Sequence, residues 1–166
     1  PFANFEEITK ALPGVKKKYL YSKDFAKASV AELFGKDKLS KAVLREADTF
    51  ESMFFENTGN GFTAHPLPDA LQFSTLQAAQ AADLNGDGKP EVLIGGNFYQ
   101  CNIEMGRYDA AYGNILSIAP GGVMAVYPMG DLRIKGQIRR IRPVSVGGKP
   151  AFVLARNDDT AILIRP

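Results

Sequence analysis

The chain holds one cysteine, Cys101, and one histidine, His65, among its 166 residues. A single thiol excludes an internal disulfide and every multi-cysteine zinc pattern, so the redox compartment cannot be read from cysteine pairs. No serine lies in a nucleophile-elbow sequence that His65 could serve, which argues against a Ser-His-Asp triad. Cys101, beside Asn102 and without a second histidine-like base, reads as incidental. No stretch of eighteen apolar residues exists, and so no membrane span is expected. No glycine-rich phosphate loop occurs either; Gly121-Gly122 and Gly147-Gly148 read as hairpin turns. The chain opens on Pro1, and residues 1–10 lack the basic and apolar blocks of a secretory signal, so the expectation is a processed or excised segment.

What is present reads as globular: 45% hydrophobic and 23% charged residues, at a length that fits one domain or two small units. The net charge of +2 hides an asymmetry, because residues 1–47 carry ten Lys/Arg against six acids and the remainder ten against twelve. Lys16 to Lys18 and the group Arg133, Lys135, Arg139, Arg140 and Arg142 are basic enough to attract phosphate. A solvated face is the commoner meaning of such runs, and nucleic acid is not the expected partner.

Residues 1–47 read as a short helical lead-in. Phe5, Ile8 and Leu12 recur at helical spacing until Pro13 and Gly14 interrupt them. Ser29 and Glu32 make a capping-box pattern ahead of Val30, Leu33 and Phe34, with Gly35 as a stop. A further helix is expected over 39–47.

From about residue 48 the pattern changes to short β-branched, aromatic and glycine-bearing runs parted by turns. An internal repeat organises them. QAAQAADLNGDGKPEVLIGGN at 77–97 aligns without gaps on QIRRIRPVSVGGKPAFVLARN at 137–157, an offset of 60, and both copies carry Gly-Lys-Pro at the same place. The hairpin FFENTGNGFTA around Gly61 matches ILSIAPGGVMA around Gly122 at an offset of 61. A sixty-residue unit of four short strands is the signature of a propeller blade, with strands expected at 77–82, 91–95, 114–119 and 123–127. LQAAQAA has high helix propensity alone, but its β-rich partner decides for a strand. Two strands at 51–56 and 61–66 would end one blade, and three at 137–142, 151–155 and 161–165 would begin another. The expected fold is mainly β: antiparallel four-stranded propeller-type blades, a partial β-propeller, over 48–166.

One loop carries metal chemistry. Asp83, Asn85 and Asp87, followed by Gly88, set oxygen-bearing side chains at alternate positions that a tight loop can aim at one hard cation. The spacing matches the first half of an EF-hand loop, but the position of its bidentate glutamate is Ile94, so this is not an EF-hand. Glu91 stands at the ninth position, giving a calcium cage of Asp83, Asn85, Asp87, the Lys89 carbonyl and Glu91 with water. An Asp-Asn-Gly cluster can also be only a polar turn. Four ligand types at odd spacings favour the metal, and the second copy, with Pro143, Ser145, Gly147 and Ala151 there, keeps no carboxylate.

DLNGDGKPEVLIGGN resembles the calcium loop of FG-GAP/VCBS repeats, the blades of integrin-α-like propellers, and FFENTGNGFTAHPLP and GNFYQCNIEMGRYDAAYG are similar to bacterial members. The resemblance covers roughly 48–166. It implies Ca2+ on Asp83, Asn85, Asp87, Lys89 and Glu91, and an exported protein at the cell surface or outer membrane of a Gram-negative bacterium. It further implies that this segment ends a longer run of repeats, so that the remaining blades, in the same chain or a protein partner, complete it. It implies no particular activity.

The insert at 98–112 holds Tyr99, Glu104, Arg107, Tyr108, Asp109 and Tyr112, a mixture suited to recognising a protein or glycan on a loop held by a rigid scaffold. An internally packed loop with an Arg107–Asp109 pair is the plainer reading. Consecutive hairpins alternate ends, which sets this loop on the face opposite the metal. Two function classes follow: a non-catalytic surface scaffold or binding module, an accessory subunit of an envelope complex among the options, and a propeller hydrolase or lyase using Glu104, Arg107, Tyr108 and Asp109. The second needs polar groups converging on a pocket, and no catalytic signature is present.

Overall fold

The computed structural model of the protein describes residues 4–129 and 133–165, and the side chain of Glu104 lies outside that description. The chain divides into two compact units, Pro1–Asp48 and Thr49–Pro166.

The first unit is built from short helices. Asn4 caps α1 (Phe5–Ala11) by accepting the Glu6 amide. Pro13 ends α1's run but opens α2 (Pro13–Lys18), where a missing amide hydrogen costs nothing in the first turn. α3 (Ser22–Ala26), α4 (Val30–Phe34) and α5 (Lys36–Leu39) follow. The capping box forms as expected: Ser29 Oγ accepts the Glu32 amide while the Glu32 carboxylate accepts the Ser29 amide at 2.7 Å. These bonds to the Ser29 backbone and then its hydroxyl, with the Lys18 charge assisting, hold the Glu32 carboxyl below its ordinary value. Among the described residues of this unit Val15, Phe25 and Ala28 are the buried apolar ones, and the Phe25 ring meets Phe5 at 5.1 Å and Tyr19 at 6.1 Å. The helix expected over 39–47 is absent, since α5 stops at Leu39 and residues 43–50 are irregular. Val43 and Leu44 are 82% and 80% exposed, and so short a helix without a packed face is not self-sustaining.

The second unit is mainly β and wholly antiparallel. β1 (Met53–Asn57) and β2 (Phe62–Pro66) form a hairpin; β3 (Leu76–Ala82), β4 (Glu91–Gly96), β5 (Asn114–Ala119) and β6 (Val123–Pro128) form a meander; β7 (Ile138–Val146), β8 (Lys149–Arg156) and β9 (Ile162–Ile164) form a three-stranded sheet. LQAAQAA is therefore a strand, its helix propensity overridden by pairing with β4. Side-chain alternation on the central sheet feeds two cores. Leu93 and Ile115 join Ile138, Ile141, Phe152 and Leu154 on one face, while Ile94 and Leu116 join Leu67, Leu71 and Phe54 on the other.

The repeat is real in the ladders but is not free of gaps. Ala79 pairs with Ile94, and Ile141, not Arg139, pairs with Leu154. The first strand of the second copy has thus slipped by two residues, which keeps each side chain on its face. Its hairpin continues to Val146 and Lys149 and closes with Gly147 and Gly148 at φ 62° and 77°, the left-handed pair a two-residue turn needs. The first hairpin stops at Ala82 and Glu91, leaving 83–90 as a loop.

Candidate functional site

Loop 83–90 joins β3 to β4 and is organised around its own acidic side chains. Asp83 Oδ1 accepts the Gly86 amide at 2.7 Å and Oδ2 the Gly88 amide at 2.9 Å. Gly86 and Gly88, at φ 80° and 83°, allow the backbone to curl around that carboxylate. Asn85 Oδ1 accepts the Asp87 amide and Asp87 Oδ1 the Lys89 amide, each at 2.8 Å. Glu91, 8% exposed, closes the ring by accepting the Leu84 amide at 3.0 Å and Asn85 Nδ2 at 3.1 Å.

The donor set suits a hard cation. All five expected ligands offer oxygen, and each carboxylate oxygen that accepts one amide retains a second lone pair. Asp83, Asp87 and Glu91 oppose only Lys89 within 83–91, and among the described residues none of the three forms an ion pair. Their carboxylates are spread along the loop by the amides they hold, and among the described residues no three His, Cys, Asp or Glu side chains gather as a ready metal group.

The long connection, 97–113, leaves from the opposite end of the central sheet, as the alternation of an antiparallel meander requires. Its base is fixed by a residue the sequence reading passed over. Asn97, 1% exposed and at φ 82°, donates from Nδ2 to the Ala111 and Gly136 carbonyls and accepts the Ala111 amide and Ser74 Oγ on Oδ1. The signal was available, because both sequence repeats end in asparagine, and Asn157 likewise bonds Gln137 through its backbone and side chain. Phe98 and Tyr108 exchange backbone bonds across the loop. Arg107 does not pair with Asp109; its guanidinium lies 5.0 Å over the Tyr99 ring, and Arg133 lies 5.3 Å over Tyr112. Tyr108 and Tyr112 are 42% and 38% exposed, Asp109 is exposed, and the Glu104 side chain lies outside the described residues.

His65 bonds Glu56 at 3.1 Å and stacks on Phe54, and Cys101 is half-buried with Sγ against the Phe98 carbonyl, so both have structural surroundings. A cleft of about 570 Å³ opens beside loop 83–90 between β5, β6 and the third sheet. Tyr127, Arg165 and Ser117 face it together with Asp87 and Glu91, an assembly invisible in a sequence that scatters them over eighty residues. No described helix is long and apolar enough to cross a membrane. Comparison with protein-family models, with characterised proteins and with solved structures finds no match to this chain.

Proposed function

We propose that residues 49–166 form a non-catalytic, calcium-stabilised scaffold of propeller-type blades, akin to FG-GAP/VCBS repeats, in an exported or cell-surface protein. The packing of β7 and β8 across one face of the β3–β6 meander supports the reading. So does the order of the sheets, in which β2 is followed by β3 and β6 by β7, the last strand of one sheet by the first of the next, with β3 packed against β7. On this reading β1–β2 ends one blade, β3–β6 is a whole blade, and β7–β9 is most of a third. The partners are the remaining blades, and loop 98–112 offers the stacked Arg107–Tyr99 pair, and Tyr112 beneath Arg133, to a protein or glycan.

The observation that carries the metal is the contrast between the two hairpins. Gly147 and Gly148 reverse the chain in two residues, whereas the first copy spends 83–90 on the same task and fills it with oxygen donors. Chain reversal does not need them. Asp83, Asn85, Asp87, the Lys89 carbonyl and Glu91 would hold the ion, which offsets the excess of three carboxylates over one lysine and ties the end of β3 to the start of β4. Thermal melts in chelator and in calcium test this. A hundredfold excess over the dissociation constant adds about 2.7 kcal/mol, so the transition should rise by several degrees and Asp87→Ala should abolish the rise. Superimposable melts for both proteins in both buffers would overturn the metal.

A further inference from the structure

The two faces of the central sheet are covered unequally. On one, Ile138, Ile141, Phe152 and Leu154 of β7 and β8 pack over Leu93. On the other, Leu67 and Leu71 of the segment after β2 cluster with Ile94 and Leu116, Phe54 of β1 packs against them, and an apolar cleft of about 370 Å³ remains before β3 and β4. Met53 and Phe54 line it with Leu76, Ala79, Val92 and Ile94. Ala79 and Ala81 are exposed although their ladder partners are Ile94 and Val92.

The cleft is bordered by the edge of β1, with which no strand among the described residues pairs. Leu67 N donates to Ser52 O and Thr58 N to Gly61 O, so alternation turns Phe54 and Glu56 toward β2 and the N–H and C=O of Met53 and Phe55 away from it. The hairpin repeat places Met53 and Phe55 where Asn114 and Leu116 stand, and there the same side of the strand pairs with Ile94 and Val92 of β4. A small apolar ligand or a helix would cover the cleft but leave those edge groups unpaired. An added strand satisfies both.

We infer that the β1 edge and this cleft are one docking site for a β-hairpin, whose outer strand runs antiparallel to β1 and pairs with Met53 and Phe55 while its apolar side chains cover Leu76, Ala79, Val92 and Ile94. The inference rests on the blade reading and specifies where, in which direction and in which register a completing pair of strands attaches. The cleft is continuous with the core of Leu67, Leu71, Ile94 and Leu116, so docking extends a packed interface that already exists.

A synthetic peptide of residues 138–156, the chain's own cover for the other face, is the probe, added to the whole protein at up to millimolar concentration and read by amide hydrogen exchange. Saturation should slow the Met53 and Phe55 amides about tenfold or more and leave Phe54 and Glu56, already held by β2, little changed. Phe55→Pro removes an edge donor without touching the β2 ladder, and Ala79→Arg puts a cation on an exposed position of the cleft. Each should weaken the peptide about tenfold. No binding, binding that leaves Met53 and Phe55 unprotected, or full protection of both amides before peptide is added would overturn the site. Calcium-dependent melting measured alongside separates the two readings: a calcium shift without peptide binding defeats the docking site alone, and peptide binding without a calcium shift supports docking and defeats the metal alone.

Discussion

Gly96 has no room for a side chain, because a Cβ there would lie 2.0 Å from the Thr75 carbonyl oxygen. That oxygen also accepts the Asn97 amide, so the crossing into β3 is pressed against the end of β4 and cannot retreat without losing the bond. Gly96→Ala should therefore cost about 3 kcal/mol, at the upper end of overpacking penalties, measured by denaturant unfolding. Gly61→Ala is the control: its φ is not left-handed and nothing lies within 4 Å, so its effect should stay within about 0.5 kcal/mol. Equal losses at the two sites would contradict the close approach. The same tightness explains the asparagine next door. At φ 82° Asn97 accepts a backbone shape that few residues tolerate, and its amide satisfies two carbonyls and an amide from segments that no single strand joins.

Element by element, the legible part of the sequence was whatever local pattern and repetition determine together. Nine strands stand close to where the alternation and the sixty-residue repeat set them, and LQAAQAA is a strand against its own propensity because its partner sequence is unambiguous. The two-residue slip between copies was not legible, since it follows from how far each ladder extends toward its turn, and a gapless match of Gly-Lys-Pro hides the change. The metal loop's residues and their shared connection were readable; the bonds that spread its carboxylates were not, for those depend on left-handed Gly86 and Gly88. The helix expected over 39–47 failed because propensity was weighed without a surface to pack on, whereas α4 succeeded on its cap. That cap makes a pH prediction. With the Glu32 carboxyl held below its ordinary 4.5, its bonds add stability above that value and lose it as pH falls through the lowered one. Wild-type helical circular dichroism should therefore decline more below pH 4.5 than that of Glu32→Gln, most clearly at low salt; parallel titrations would remove the carboxylate from the cap's energetics.

At the scale of the whole chain, the two compact units differ in what can hold them together. Residues 4–48 bury three apolar side chains beneath short helices, while the strands of the second unit form three antiparallel sheets and share two apolar clusters. Conformational entropy costs both about the same per residue, so the second unit has far more burial to set against it. Between the last helix and β1 the backbone at 41–47 is irregular and exposed, and it carries Lys41 and Arg45. Such a segment reaches a protease's extended binding cleft without unfolding anything else. Brief trypsin treatment should therefore cut after Lys41 or Arg45 first, and the product beginning at Ala42 or Glu46 should keep a single cooperative melt, because none of its ladders or core residues has been removed. The mass of the early product and its calorimetric trace are the measurements. First cuts inside the strand region, at Arg139 or Arg140 of β7, would mean that the ladders open more readily than the segment after α5, and a product without a cooperative transition would mean that the helices contribute to the folding of the sheets.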